Sequence, residues 1–187
     1  MKISVVIPTI GRKHDLILTI ESLLKQTRMP DEILIVDQNP EPFPEVLSFL
    51  AAIPIARHFH NREPGLCRNY NVCWRQAQGD VVLYVDDDVQ ADSQLVAQHL
   101  RRYTEDPQVG CVAGRVLTPD GQVSRSSDVG QYRRWWGDLK THFSSEARAE
   151  NVDFAQGCNM SALRVALEKI GGFDEGFTGN AYFFEPD

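Results

Sequence analysis

The chain has 187 residues, 42% hydrophobic and 24% charged, the balance of one soluble globular domain with a single core. A formal net charge of −7 argues against a nucleic-acid partner, which needs a basic face, so an anionic ligand would depend on a local metal or local arginines. No apolar run approaches the roughly 20 residues that span a bilayer, and Met1-Lys2-Ile3-Ser4-Val5-Val6-Ile7-Pro8 is interrupted too early for a signal peptide.

Ile3 to Ile7 is a β-branched run stopped by Pro8, which predicts a buried strand. From Lys13 to Gln26, Leu16, Ile20, Leu23 and Leu24 recur at helical spacing on one face. Glu32 to Val36 reads as a second strand ending at Asp37. The proline-rich turn Asn39-Pro40-Glu41-Pro42-Phe43-Pro44 then precedes a short helix reaching Ala52. Pro54 to His58 is a candidate third strand. Leu66, Tyr70, Cys73, Trp74 and Ala77 trace another helical stripe, closed by Gly79-Asp80. Val81 to Val85 is a strand, and Ser93 is a candidate N-cap for a helix carrying Val96, Leu100 and Tyr103 that breaks at Asp106-Pro107. Strand and helix alternate throughout, which predicts an α/β fold with a mostly parallel sheet flanked by helices.

Beyond Pro107 the pattern loosens. Val109 to Leu117 and Val152 to Ala155 are candidate strands, with a turn at Thr118-Pro119-Asp120-Gly121 between them. Gln131 to Phe143 is aromatic and basic. Trp135-Trp136 beside Arg133-Arg134 fits either a sugar-stacking platform or core packing. Ser161 to Ile170 reads as a helix stopped by Gly171-Gly172 in a left-handed cap.

Three consecutive acids, Asp86-Asp87-Asp88, stand where the Val81–Val85 strand ends. Adjacent carboxylates repel and resist ionisation unless something positive holds them. A divalent cation such as Mg²⁺ or Mn²⁺ takes carboxylate oxygens and shares its other positions with phosphate or water. Ligands of open α/β sheets also bind beyond the carboxyl ends of the strands, so the expectation is a metal–phosphate site. An EF-hand fits poorly, because Val89-Gln90-Ala91 after Asp88 offers no glycine at the required turn. Cys67, Cys73, Cys111 and Cys158 lack Cys-x-x-Cys spacing and read as reduced, mostly buried thiols. Among the histidines only His58-x-His60 is suggestively spaced, on one face of a strand, and it reads as solvated surface.

These segments, in this order, resemble the family 2 glycosyltransferases. Ser4-Val5-Val6-Ile7-Pro8-Thr9 and Ile33-Leu34-Ile35-Val36-Asp37 look like the family's first two strands. Asn61, Gly65, Cys67-Arg68-Asn69 and Asn71 are similar to its Asn-x-x-x-Gly and Ala-Arg-Asn-x-Gly segment. Val85-Asp86-Asp87-Asp88 resembles its Asp-x-Asp strand end. Gln156-Gly157-Cys158-Asn159-Met160-Ser161 and Gly171-Gly172-Phe173-Asp174-Glu175 are similar to its acceptor side. The resemblance covers nearly the whole chain. It implies one domain of GT-A fold over 1–187, with a nucleotide-sugar-binding half at 1–106 and an incomplete acceptor half at 107–187.

The resemblance also implies roles. Pro8, Thr9, Asp37, Arg68, Asp86 and Asp87 would bind the nucleotide, with Asp37 accepting from a base N–H or touching the ribose. Asp88 and Asp86 would hold Mg²⁺ or Mn²⁺. Glu185 would be the base of an inverting displacement, with Asp187 as runner-up and Asp174 third. The expected partners are a nucleotide-diphosphate sugar and a saccharide or lipid-linked acceptor. The expected place is the cytoplasm or the inner face of a membrane. Ile10-Gly11 and Gln38-Asn39-Pro40 depart from the family pattern and leave the base contacts open. The chain stops at Asp187 inside a motif, so a truncated chain is expected, with any peripheral membrane association carried by missing residues. Two rivals stand beside this reading: a binding module without turnover, and a phosphotransferase using Asp86–Asp88. A dinucleotide dehydrogenase is poorer, because no Gly-x-Gly-x-x-Gly follows the first strand.

Overall fold

The structure, a computed structural model, describes residues 1–63, 65–133, 135 and 137–176. Its first half alternates as expected: β1 (Ile3–Thr9), α1 (Lys13–Leu23), β2 (Glu32–Asp37), α2 (Pro44–Ala51), β3 (Ala56–His60), α3 (Leu66–Gln76), β4 (Val81–Tyr84) and α4 (Leu95–Glu105). There follow β5 (Cys111–Ala113), the hairpin β6 (Gln131–Arg133) and β7 (Asp138–Lys140), a 3₁₀ turn at Gly157–Asn159, β8 (Met160–Leu163) and α5 (Arg164–Ile170).

The main sheet runs β3-β2-β1-β4-β8-β5. Its first four strands are mutually parallel, whereas β8 pairs antiparallel with both β4 and β5. β1 and β2 are buried along their whole length, as parallel strands covered on both faces must be. Ile3, Val5, Ile7, Ile33, Ile35, Leu83 and Val85 pack under α1, α2 and α4. Val6, Leu34, Val36, Val82 and Tyr84 face α3 and α5 through Tyr70, Cys73, Ala77 and Leu167. Period-two side chains thus feed two separate cores from one sheet.

Chain order sets the crevice. From β1 the chain winds outward through β2 to β3, then returns over the opposite face to β4 on the far side of β1. The winding reverses between β1 and β4, and their pairing ends at Val6↔Tyr84, so the carboxyl ends diverge there. This also explains why Pro8 does not stop β1. Val6 accepts from Val85 N–H on the β4 side, and by alternation Pro8 turns its missing donor toward the divergence. On the β2 side the register continues to Thr9↔Asp37.

Several expectations need correction. Ser161–Ile170 is not one helix, because Met160–Leu163 is strand and only Arg164–Ile170 is helical. Ser161 is fully buried between two strands, where its hydroxyl meets His99 Nδ1 at 2.7 Å and Tyr103 Oη at 2.8 Å. Val152–Ala155 is not a strand, and Val109–Leu117 shrinks to Cys111–Ala113. Ser93 is not the N-cap of α4. Gln94 takes that place, and its N–H donates to the Asp92 carboxylate at 2.8 Å. Gly171 closes α5 in the left-handed region, φ +83°, as expected. Cys111 is exposed rather than buried, and all four thiols are free. Trp135 is 94% exposed, which removes core packing as its role, while Trp136 lies outside the described residues. No helix among the described residues is long and apolar enough to cross a membrane.

Candidate active site

The acidic triplet leaves β4 at the divergence of β1 and β4, and its three members meet three environments. Asp87 is buried, 6% exposed. Thr9 donates its hydroxyl to Asp87 Oδ2 at 2.7 Å, and Arg12 Nη1 donates to Oδ1 at 3.1 Å. Asp88 is exposed and takes the same Arg12 nitrogen at 2.5 Å. Asp86 is half-buried. Burial, then the charges of Asp88 and Asp87, push its carboxyl up to about 6 against the opposing pull of Arg12.

This donor set fits a divalent cation. Asp86 and Asp88 are adjacent hard oxygen donors in a partly desolvated turn, and the strain on Asp86 is the kind that a cation relieves. Among the described residues no group of three or more His, Cys, Asp or Glu converges. A metal held here would rest on one or two carboxylates and take its other ligands from phosphate and water, which is how Mg²⁺ is usually bound.

A second polar cluster occupies the ends of β2 and β3. Asp37, 2% exposed, accepts on Oδ1 from the Asn39 N–H and the Asn39 side-chain amide, both at 2.8 Å. His58 Nε2 lies 3.1 Å from Asp37 Oδ2, and His60 Nε2 lies 2.8 Å from the Asn39 carbonyl. His58 and His60 are therefore not the solvated surface pair expected. Gly11 N–H donates to Asn39 Oδ1 at 2.7 Å, so this cluster also holds the loop after β1. Gly11 carries φ +75°, a backbone that disfavours other residues.

On α3, Asn69 and Asn71 are fully buried in polar contacts. Asn69 donates to Gln38 Oε1 at 2.7 Å and accepts from Asn61 at 2.9 Å. Asn71 donates to the Phe173 carbonyl at 2.8 Å and to Glu175 Oε1 at 2.8 Å, and accepts from Phe173 N–H at 2.8 Å. It thereby ties the segment after α5 to α3, beside the aromatic stack of Tyr70, Tyr84 and Phe173. Arg68 is turned to acids, Glu63 Oε2 at 2.8 Å and Glu175 Oε2 at 3.5 Å. Asp174 accepts from Gly176 N–H at 2.9 Å. Glu185 and Asp187 lie outside the described residues.

The 3₁₀ turn completes the wall on the other side. The antiparallel register Tyr84↔Met160, continued past the strand ends, sets Cys158 across from Asp86. Burial and the nearby Asp86 charge push the Cys158 thiol up to about 11, which leaves it protonated and inert. Asn159 holds this turn. It accepts from His99 Nε2 at 2.8 Å, donates to the Arg115 carbonyl at 2.9 Å, and its carbonyl takes Gly114 N–H at 2.8 Å.

The structure thus brings Thr9, Asp86, Asp87 and Asp88 together, with Pro8 and Asp37 on the adjoining strand ends and Arg68 turned to acids on α3. Sequence reasoning missed Arg12, Asn39 and the role of His58. The only signal for Arg12 was its place just after the first strand, as the first cation available to an acidic turn.

Comparison with known proteins places this architecture. The family model for glycosyl transferase family 2 matches residues 4–171, and the chain belongs to that family. A curated relative, the glucosyl-dolichyl phosphate glucuronosyltransferase of Haloferax volcanii, is 29% identical over 93% of this chain and 56% of its own length. Among solved structures, the mannosyltransferase PcManGT from Pyrobaculum calidifontis, in complex with GDP-Man and Mn²⁺, aligns with a TM-score of 0.68 at 19% identity, over 93% of this chain and 48% of that one. TarS of S. aureus aligns with a TM-score of 0.72 at 17% identity, over 96% of this chain and 52% of that one. These structural likenesses define a GT-A fold. The chain spans about half the length of these relatives.

Proposed function

We propose that the chain forms the donor site of an inverting, metal-dependent glycosyltransferase that moves a sugar from a nucleotide-diphosphate sugar to an acceptor hydroxyl. The observation that carries this is the differentiated acidic turn at the β1/β4 divergence: Asp87 locked inward by Thr9 and Arg12, Asp88 exposed with Arg12 as the cation a metal would displace, and Asp86 pushed toward protonation by burial and its neighbours. The GDP-Man and Mn²⁺ of the mannosyltransferase neighbour support a nucleotide sugar with Mg²⁺ or Mn²⁺. The name of the Haloferax relative supports a lipid-linked acceptor, with a free saccharide as the other class.

In this reading Asp86 and Asp88 hold the metal, and Asp87 with Thr9 fixes the turn on which they stand. Pro8 and Asp37 line the nucleoside end, and Arg68 adds a cation on the α3 side. The metal, when bound, supplies Lewis-acid neutralisation of charge on the departing nucleotide diphosphate. Glu185 takes the proton of the attacking hydroxyl, with Asp187 the alternative, and the single displacement inverts the anomeric centre. The phosphotransferase alternative requires the acidic loop after the first strand, whereas this triplet follows the fourth.

Calorimetric titration with UDP, GDP and dTDP, with and without Mn²⁺, tests the donor site. One nucleotide should bind only when metal is present, and Asp88→Asn should weaken that binding by about tenfold or more, the cost of losing a charged ligand. Unchanged affinity in Asp88→Asn would remove the metal role. In a transferase-active form, Glu185→Gln should abolish turnover and spare donor binding.

A further inference from the structure

β3 is the edge of the sheet, yet its two histidines are half-buried and engaged. The parallel register sets Ile35 against His58 and Asp37 against His60, so both imidazoles lie on the face that carries Asp37. The chemistry fixes which way these hydrogen bonds run. A carboxylate and a carbonyl only accept, so His58 Nε2 donates to Asp37 Oδ2 and His60 Nε2 donates to the Asn39 carbonyl.

A carboxylate offers about four acceptor positions. Asn39 fills both on Asp37 Oδ1 through its backbone and side-chain N–H groups, and His58 fills one on Oδ2. Among the described residues no other donor meets Oδ2, which leaves one position there. Asn39 is itself pinned at its carbonyl by His60 and at Oδ1 by Gly11 N–H. The Asp37 carboxylate is thus prevented from turning, with a single acceptor position left over.

We propose that His58 and His60 are positioning residues for the nucleoside: they lock Asp37 and Asn39 so that the one free position on Asp37 Oδ2 meets a ring N–H of the donor's base. A uracil, thymine or guanine ring offers such an N–H at its pairing edge, whereas cytosine and adenine present a ring acceptor there. The inference rests on the donor-site reading, in which Asp37 contacts the base.

The test uses the whole chain and separates the two ends of the donor. Calorimetric titrations are made with the tightest-binding of UDP, GDP and dTDP, and with inorganic pyrophosphate, both in the presence of Mn²⁺. His58→Leu should weaken the nucleotide by about tenfold, the effect of removing one hydrogen bond to a charged group, and leave pyrophosphate unchanged. His58→Asn, too short to reach Asp37, should do the same if the leucine variant folds poorly. His58→Gln, whose amide N–H can replace the imidazole donor, should restore most of the affinity. Asp37→Asn combined with His58→Leu should lose no more than Asp37→Asn alone, because His58 acts through Asp37. Equal loss for pyrophosphate, additive losses in the double variant, or unchanged nucleotide affinity would each overturn the proposal. A wild-type chain that binds pyrophosphate with Mn²⁺ but no nucleotide would overturn it too, while leaving the metal end of the donor site standing. Failure to bind either ligand would remove the donor-site reading itself.

Discussion

Asp86, Asp87 and Asp88 are chemically identical in sequence, and burial together with hydrogen-bond partners separates them. Asp87 points into the protein and needs both of its donors, because a buried carboxylate stripped of a hydrogen bond bears the desolvation cost directly. Thr9→Val keeps the shape and removes the donor. Denaturant unfolding should show a loss of about 1–3 kcal/mol, and Mn²⁺-dependent nucleotide binding should weaken with it. A stability change within a few tenths would show that Arg12 alone suffices. That the triplet stands at the end of a buried strand could be read from the sequence. Its division of labour could not, since Arg12 and Thr9 lie more than 70 positions away in the chain. The same holds for His58: alternation put it on one face with His60, but nothing local revealed Asp37 as its partner.

At the scale of elements, long periodic segments were legible and short paired ones were not. The four β-α units of the first half declare themselves through apolar runs and helical stripes. β8 does not, because Met160-Ser161-Ala162-Leu163 lacks β-branched residues and runs straight into a helical pattern. It is a strand because β4 and β5 flank it, an instance of tertiary pairing overriding local preference. Val152–Ala155 fails for the converse reason: it lies outside every ladder. The entry to β8 is tightly specified at Gly114, where a Cβ would stand 2.1 Å from the Asn159 side chain. Asn159 cannot yield without giving up His99 and Arg115. Gly114→Ala should therefore cost about 1–3 kcal/mol through overpacking, read from the urea midpoint. Adding Asn159→Ala should recover none of that stability if the hydrogen bonds of Asn159 matter more than the clash.

Across the whole molecule, acid should act in opposite directions through one buried and one half-buried group. Burial holds His99 neutral and lowers its value to about 4 from 6.5. The unfolded chain binds the His99 proton below pH 6.5 and the folded chain does not, so this contribution is complete above about 6.5 and is lost as pH falls toward 4. The full difference amounts to about 3 kcal/mol. Asp86 runs the other way. Its value is raised from 3.8 to about 6, so the folded state binds that proton more readily, and the benefit disappears as pH rises through about 6. Because the two shifts are of similar size and opposite sign, unfolding measured between pH 4 and 7 should show little net slope, and His99→Gln should leave the Asp86 part alone, so that stability falls as pH rises. An unchanged profile would mean that His99 is solvated.

The insertion of β8 between β4 and β5 also bears on how the protein is made. Val81-Val82-Leu83-Tyr84 leaves the ribosome roughly 75 residues before the strand that covers its outer side. Until Met160–Leu163 is synthesised, a wholly buried apolar strand presents open backbone donors and acceptors to any other strand nearby. A fragment ending after α4 should accordingly self-associate through β4, visible as concentration-dependent light scattering that a peptide spanning 156–170 suppresses.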